Sequence, residues 1–193
     1  MYFDLPGMGR TPAPDWIVHS DQMLDVVSWL VDRVLPLEQY CVAGESYGGC
    51  LAQGLAARHT GRIEGMFLLC PLVHADPARR RAPEHIVLER EPGLLERLSD
   101  AGRAEFEPMA VVQTESAREK FRRGILPGLR AGDTAFLDRL WQGNSFADEA
   151  ALERTRFEKP VLDRVGHNAQ IEQPDPFEAL AQDWLKKVES NWT

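Results

Sequence analysis

Residues 40–50, YCVAGESYGGC, set a short apolar run against a serine flanked by glycines. Tyr40 and Val42 favour extended backbone, so 39–43 reads as a strand. The spacing predicts a helix from about Tyr47 to His59, stopped by Thr60-Gly61. Between them, Gly44 and Gly48 stand two positions before and two after Ser46, with Gly49 just beyond. A chain passing from strand to helix in so few residues turns sharply, and a side chain at either flanking position would strike the neighbouring strand or helix. Such a turn holds the serine in a strained conformation and lifts its hydroxyl above the sheet. It also puts Ser46 at a helix N-terminus, where unpaired N–H groups and the dipole favour negative charge. Ser46 is therefore the candidate nucleophile. The Tyr47 backbone N–H is the candidate oxyanion donor, a role typically worth ~3–4 kcal/mol in the transition state.

Outward from this stretch, Met66-Phe67-Leu68-Leu69-Cys70 is apolar throughout, as in a strand covered on both faces. Upstream, Ser20 can cap a helix whose apolar positions Met23, Leu24, Val27, Leu30, Val31 and Val34 form one stripe, ended by Pro36. Tyr2-Phe3 reads as a strand stub closed by a turn at 4–9. This alternation predicts an α/β fold with a mostly parallel sheet. Residues 77–157 are rich in Arg and Glu, broken by Pro83, Pro92, Pro108 and Pro127, and otherwise helical in spacing, so they read as an inserted all-helical segment. Arg79-Arg80-Arg81 reads as a solvated turn. The sheet returns at Pro160–Asp163, and Asp175-Pro176-Phe177-Glu178 starts a final helix whose apolar positions, Phe177 to Val188, predict a buried face. The division is a core of 1–76 and 158–193 with an insert of 77–157.

A serine hydroxyl needs a base to take its proton. His19, His59 and His85 read as solvated, at a loop, a helix end and the charged insert. His74 follows a strand and could line a site. His167 stands in VLDRVGHNAQIEQP, a Gly-His loop after the last strand and before the last helix. Parallel strands all finish on one side, so this loop projects from the same sheet edge as Ser46. Serine first and histidine last is also the order such architectures use. His167 is the candidate base.

These residues together resemble the α/β-hydrolase superfamily, of the kind with a helical lid, over nearly the full length. DLPGMGR (4–10) resembles the turn after the family's fourth strand, and AGESYGG (43–49) its nucleophile elbow. Residues 77–157 resemble the lid, and DRVGHNAQIEQPDPF (163–177) the histidine loop and final helix. The resemblance implies an abbreviated α/β-hydrolase-like fold, a mostly parallel sheet flanked by helices with an all-helical lid. It implies a serine-dependent hydrolase of a small carboxylic ester or related acyl compound. Two parts of the family pattern have no counterpart. One is the first three strands, whose third leads into the second oxyanion donor; their absence leaves Tyr2-Phe3 to pair directly with 39–43, to stay unpaired, or to find a partner in a second copy of the chain, as a homo-oligomer. The other is the segment carrying the catalytic acid. Asp163, four residues from His167 in the same strand, and Asp76, after the third strand of this chain, are weak substitutes. Loss of the orienting acid lowers turnover by ~10⁴. The alternative reading is thus a non-catalytic, shortened protein of this fold that binds a small ligand.

Composition narrows the partners. The 193 residues carry 30 acidic and 22 basic side chains, a net charge of −8, which repels a phosphate backbone or an anionic membrane. No apolar run approaches the ~18–20 residues of a membrane span, and the N-terminus lacks a secretory pattern. Three cysteines among apolar neighbours read as reduced thiols in a cytoplasmic protein. The absence of a ligand cluster or phosphate loop implies no metal and no organic cofactor, leaving a small-molecule substrate as the partner.

Overall fold

A computed structural model describes residues 1–72, 74, 77–79, 84–142, 146–147 and 165–190. The chain divides into two compact units, Met1–Arg81 with Ala131–Glu158, and Ala82–Arg130 with Lys159–Thr193.

In the first unit, helix α1 (Ser20–Val34) is followed by strand β1 (Tyr40–Glu45), helix α2 (Tyr47–Arg58) and strand β2 (Ile63–Leu69). β1 and β2 pair in parallel, from Tyr40 opposite Ile63 to Glu45 opposite Leu69. A strand–helix–strand run between parallel neighbours is the elementary unit of an α/β fold. Among the described residues this sheet has two strands; the strand expected at 160–163 lies outside them. The α1 stripe faces inward over most of its length, with Met23, Leu24, Val27 and Val31 buried, while Leu30 is partly buried and Val34, expected in the same stripe, is exposed at the helix end. Each such side chain contributes roughly 1.5–3 kcal/mol. They pack with Ile17, Tyr40, Cys50, Leu51 and Leu55 in one core. Helix α6 (Thr134–Gln142) adds Phe136 and Leu140 to the same core, although its sequence lies in the stretch read as the insert.

Two expectations fail here. Tyr2-Phe3 is not a strand: Tyr2 is fully exposed, and the N-terminal pairing is instead a single antiparallel bridge between Met8 and Gly132. The turn at 4–10 does form, with Asp4 accepting from the Arg10 N–H at 2.9 Å. Ser20 does not cap α1 either. His19 takes that place, and the Gln22 side chain accepts from the N–H groups of Val18 and His19 at 2.8 and 3.0 Å.

In the second unit, helices α3 (Asp100–Phe106), α4 (Glu115–Gly124) and α5 (Leu126–Arg130) follow one another. Ser99 and Thr114 cap α3 and α4 through their side-chain oxygens. The segment is not purely helical. A two-residue parallel pair, β3 (Glu89–Arg90) with β4 (Val112–Gln113), interrupts it. Two residues per strand are too few for hydrophobic alternation to register in a sequence. Helix α7 (Ala169–Glu172) and helix α8 (Pro174–Ser190) complete the unit. Its core holds Leu94, Leu95, Phe106, Ala110, Ala117, Phe121 and Ile171, with the Phe106 and Phe121 rings edge-to-face at 5.5 Å. The buried face expected of α8 shrinks to Val188, and Leu185 is half exposed.

Candidate active site

β1 ends at Glu45 and α2 begins at Tyr47, leaving Ser46 alone to make the turn. Its backbone adopts φ 52° and ψ −118°, a region that L residues rarely occupy. A residue in such a region carries strain of order 1–3 kcal/mol and persists only where its surroundings fix it. They do so here. The Ser46 N–H donates to the Leu69 carbonyl at 3.0 Å, the last rung to β2. Its carbonyl accepts from Cys50 at 3.2 Å, the first turn of α2, and from Leu72 at 3.0 Å. Strand, helix and following loop thus grip one peptide.

The glycines divide the work differently from the sequence reading. A Cβ on Gly44 would overlap the Gly48 carbonyl and lie 2.6 Å from the Gly49 nitrogen. A Cβ on Gly49 would lie 2.7 Å from the Pro71 Cβ. Gly48, expected to be equally crowded, has nothing within 4 Å of that position. Strand and helix cross at Gly44 and Gly49, and Gly48 faces open space.

Ser46 is partly buried and its hydroxyl makes no capping bond to α2. The first turn of α2 contains no acidic side chain to offset the dipole. The N–H of Tyr47, first residue of α2, has no acceptor within the helix. The Tyr47 phenol is engaged elsewhere: it donates to Ser20 Oγ at 3.1 Å, and burial pushes its pKa up to about 12. The phenol is thus tied to α1, while the backbone N–H lies at the α2 N-terminus beside Ser46.

His167 lies in the second unit, partly buried between Gly166 and Asn168, just before α7. The Asn168 carbonyl accepts from Ile171 and Glu172 at 2.9 and 3.1 Å, closing the loop onto the helix. Glu172 was not singled out by the sequence reading, yet its carboxylate organises this loop. One oxygen accepts from Val111 and Val112 N–H at 2.8 and 3.2 Å, and the other from Gly166 N–H at 2.5 Å. A cavity of about 10 Å³ beside it, lined mainly by Phe106, Phe121 and Ile171 with Asn168 and Glu172, has room for one water at most.

The other histidines fall as follows. His19 is exposed at the start of α1, and exposed His85 has its Nε2 3.2 Å from the Ala110 carbonyl. His74 is partly buried after β2. His59 is a correction: it is buried, not solvated. Its Nε2 lies 2.6 Å from Ser28 Oγ and its Nδ1 2.7 Å from Tyr40 OH. Burial lowers its pKa against the opposing pull of Asp32, with Arg62 and Arg58 adding to the fall. This serine–histidine contact is structural. Ser28 sits in the middle of α1, where backbone N–H groups are consumed by helical bonds and none remains for an oxyanion. Asp76 and Asp163, the carboxylates weighed as acids, lie outside the described residues. Of the apolar insert residues, Phe121 and Phe136 are core, Met109, Val112, Ile125 and Leu126 pack against a core, and Trp141 is half exposed. Cys41, Cys50 and Cys70 are unbridged. Among the described residues, no helix is long and apolar enough to cross a membrane and no cluster of three metal-ligating side chains occurs.

Known proteins share this fold. The structure is similar to the alpha/beta superfamily hydrolase from Oenococcus oeni PSU-1, with a TM-score of 0.86 and 25% identity, covering 97% of this chain and 81% of that one. It shares its fold with a thermophilic esterase from Thermogutta terrifontis at a TM-score of 0.53 and 20% identity, covering 96% and 78% of the two chains. In sequence it is 28% identical over 88 residues to the probable lysophospholipase BODYGUARD 3 of Arabidopsis thaliana, a stretch that is 45% of this chain but 18% of that protein. The family model of the alpha/beta hydrolase fold matches residues 2–180. The chain belongs to the α/β-hydrolase fold family.

Proposed function

We propose that the protein is a serine-dependent hydrolase of a small carboxylic ester or related acyl compound. Ser46 Oγ attacks the substrate carbonyl carbon while His167 takes the hydroxyl proton. The Tyr47 N–H, at the α2 N-terminus, stabilises the oxyanion. Collapse of the intermediate breaks the bond to the leaving alcohol, which receives the proton from His167. Water then attacks the acyl-serine with His167 again as base, releasing the acid and restoring Ser46. Residues 77–157 would act as the lid that excludes water and shapes the pocket. The orienting acid has no assigned residue, and turnover should be slow to that extent.

The observation that carries the reading is the Ser46 backbone. A non-glycine residue at φ 52°, gripped by β2 and α2 and with a hydroxyl that makes no capping bond to α2, carries strain of the kind that clusters at active sites. A fluorophosphonate probe tests it, with intact mass spectrometry of wild type and Ser46→Ala. One adduct on the wild type and none on Ser46→Ala is expected, with p-nitrophenyl acetate hydrolysis lost in parallel. A folded wild type that takes no adduct, or equal labelling of both proteins, would retire the proposal.

A further inference from the structure

We propose that Glu172 is a positioning residue for His167, tying the loop that carries the imidazole to strand β4 of the inserted segment. The inference rests on the reading of His167 as the base.

A carboxylate at the end of a one-turn helix is ordinarily solvated. Glu172 instead spends both oxygens on backbone donors that are far apart in sequence. Oε1 accepts from Val111 and Val112, 61 and 60 residues upstream, and Oε2 accepts from Gly166, the residue before the histidine. Bonds from amides to an ionised carboxylate are among the stronger ones a protein makes. The far anchor is itself fixed: the Val111 carbonyl accepts from Leu88 and Glu89 at 2.8 and 3.3 Å, holding it to the β3 edge. The near side is fixed too. A Cβ on Gly166 would lie 2.8 Å from Val111 Cγ1 and 3.1 Å from Glu172 Oε2, so the loop lies directly on its anchor. His167 is thus bracketed, by the carboxylate at Gly166 and by the α7 cap at Asn168. The peptide that carries the imidazole has little freedom left, and proton transfer needs the ring held to within a fraction of an ångström.

Glutamine at 172 keeps the size of the side chain but has one acceptor oxygen where two are used, and its NH₂ would face an N–H. Either β4 or the histidine loop is released. The test is Glu172→Gln in the full chain, read by the His167 ring resonances, by hydrogen exchange of the Gly166 amide, and by kcat and KM for p-nitrophenyl acetate. The expected result is a folded protein with shifted His167 ring signals and Gly166 exchange at least about tenfold faster. With them, kcat falls ~10–100-fold while KM stays within about twofold. A purely structural brace would lower the melting temperature and leave the ring signals and kcat of the folded protein in place; that outcome overturns the proposal. If the wild type has no Ser46-dependent turnover, the hydrolase reading falls separately, and the ring signals and Gly166 exchange decide this one. Should Glu172→Gln not fold, Glu172→Asp, with both oxygens on a shorter arm, is read by the same signals: altered values uphold the tie and wild-type values overturn it.

Discussion

The turn that carries Ser46 and the loop that carries His167 are fixed by opposite means. At Ser46 the constraint is backbone against backbone: Gly44 touches the start of α2, and the peptide is bonded to Leu69, Cys50 and Leu72. At His167 the constraint is a side chain: Glu172 reaches across 61 residues to hold Gly166 beside Val111. A backbone crossing cannot yield without moving a strand or a helix. A side-chain tie can be cut at one residue while the fold stands. In the proposed reaction the first device would suit a strained nucleophile, and the second a base that must be aimed but also move protons in two directions.

The difference is measurable as a difference in tolerance, and the elbow should show the larger effect. Gly44→Ala places a methyl group onto the Gly48 carbonyl and 2.6 Å from the Gly49 nitrogen. Overpacking against movable side chains costs typically 1–3 kcal/mol, and here no side chain is present to move, so a loss above ~3 kcal/mol is expected. That is a large part of the ~5–15 kcal/mol that native domains hold. Gly48→Ala, two residues into α2 and with open space around it, should be neutral or gain up to ~1 kcal/mol from helix propensity. Urea unfolding of the two variants checks both. Equal destabilisation would mean that the elbow is not a close backbone crossing.

Gly166→Ala is the matching change at the histidine loop, with a smaller expected effect. The added methyl meets Val111 Cγ1 at 2.8 Å, a side-chain atom that can shift at ~1–3 kcal/mol. The same urea titration should rank Gly166→Ala between Gly48→Ala and Gly44→Ala. A loss as large as that of Gly44→Ala would erase the contrast between the two regions.

This contrast also explains what the sequence discloses. The β1–turn–α2 run is legible because its determinants lie within ten residues: β-formers, a serine between glycines, then helical spacing. The α1 stripe is legible for the same reason, its period being a local property. Which glycine matters is not legible, since the crowding at Gly49 comes from Pro71, and Gly48 fits the motif while touching nothing. Tyr2-Phe3 has β-propensity but no partner strand among the described residues, and propensity without a ladder makes no strand. His59 looks like a helix-end surface residue because the hydroxyls that hold it, on Ser28 and Tyr40, are 31 and 19 residues away. Glu172 fails to announce itself for the same reason: its partners at 111 and 112 are unrelated to it in sequence.

The effect at Ser46 is smaller than those at Gly44 and Gly166 and opposite to them in sign. If the Ser46 backbone is strained for the sake of its hydroxyl, removing the Cβ should relieve it. Glycine occupies φ 52° without the steric penalty that any L side chain meets there. Strain of ~1–3 kcal/mol is released, and the greater freedom of glycine in the unfolded chain takes back up to ~1 kcal/mol. Ser46→Gly should therefore be more stable than wild type by on the order of 1 kcal/mol, a rise of ~2–4 °C in Tm for a chain of this size. Ser46→Ala retains the Cβ and so the strain, and its Tm should stay near that of the wild type. Calorimetry on the three proteins separates the two contributions. A glycine variant that melts at or below the alanine variant would show that the conformation is comfortable, and that the hydroxyl is not held at the expense of the fold.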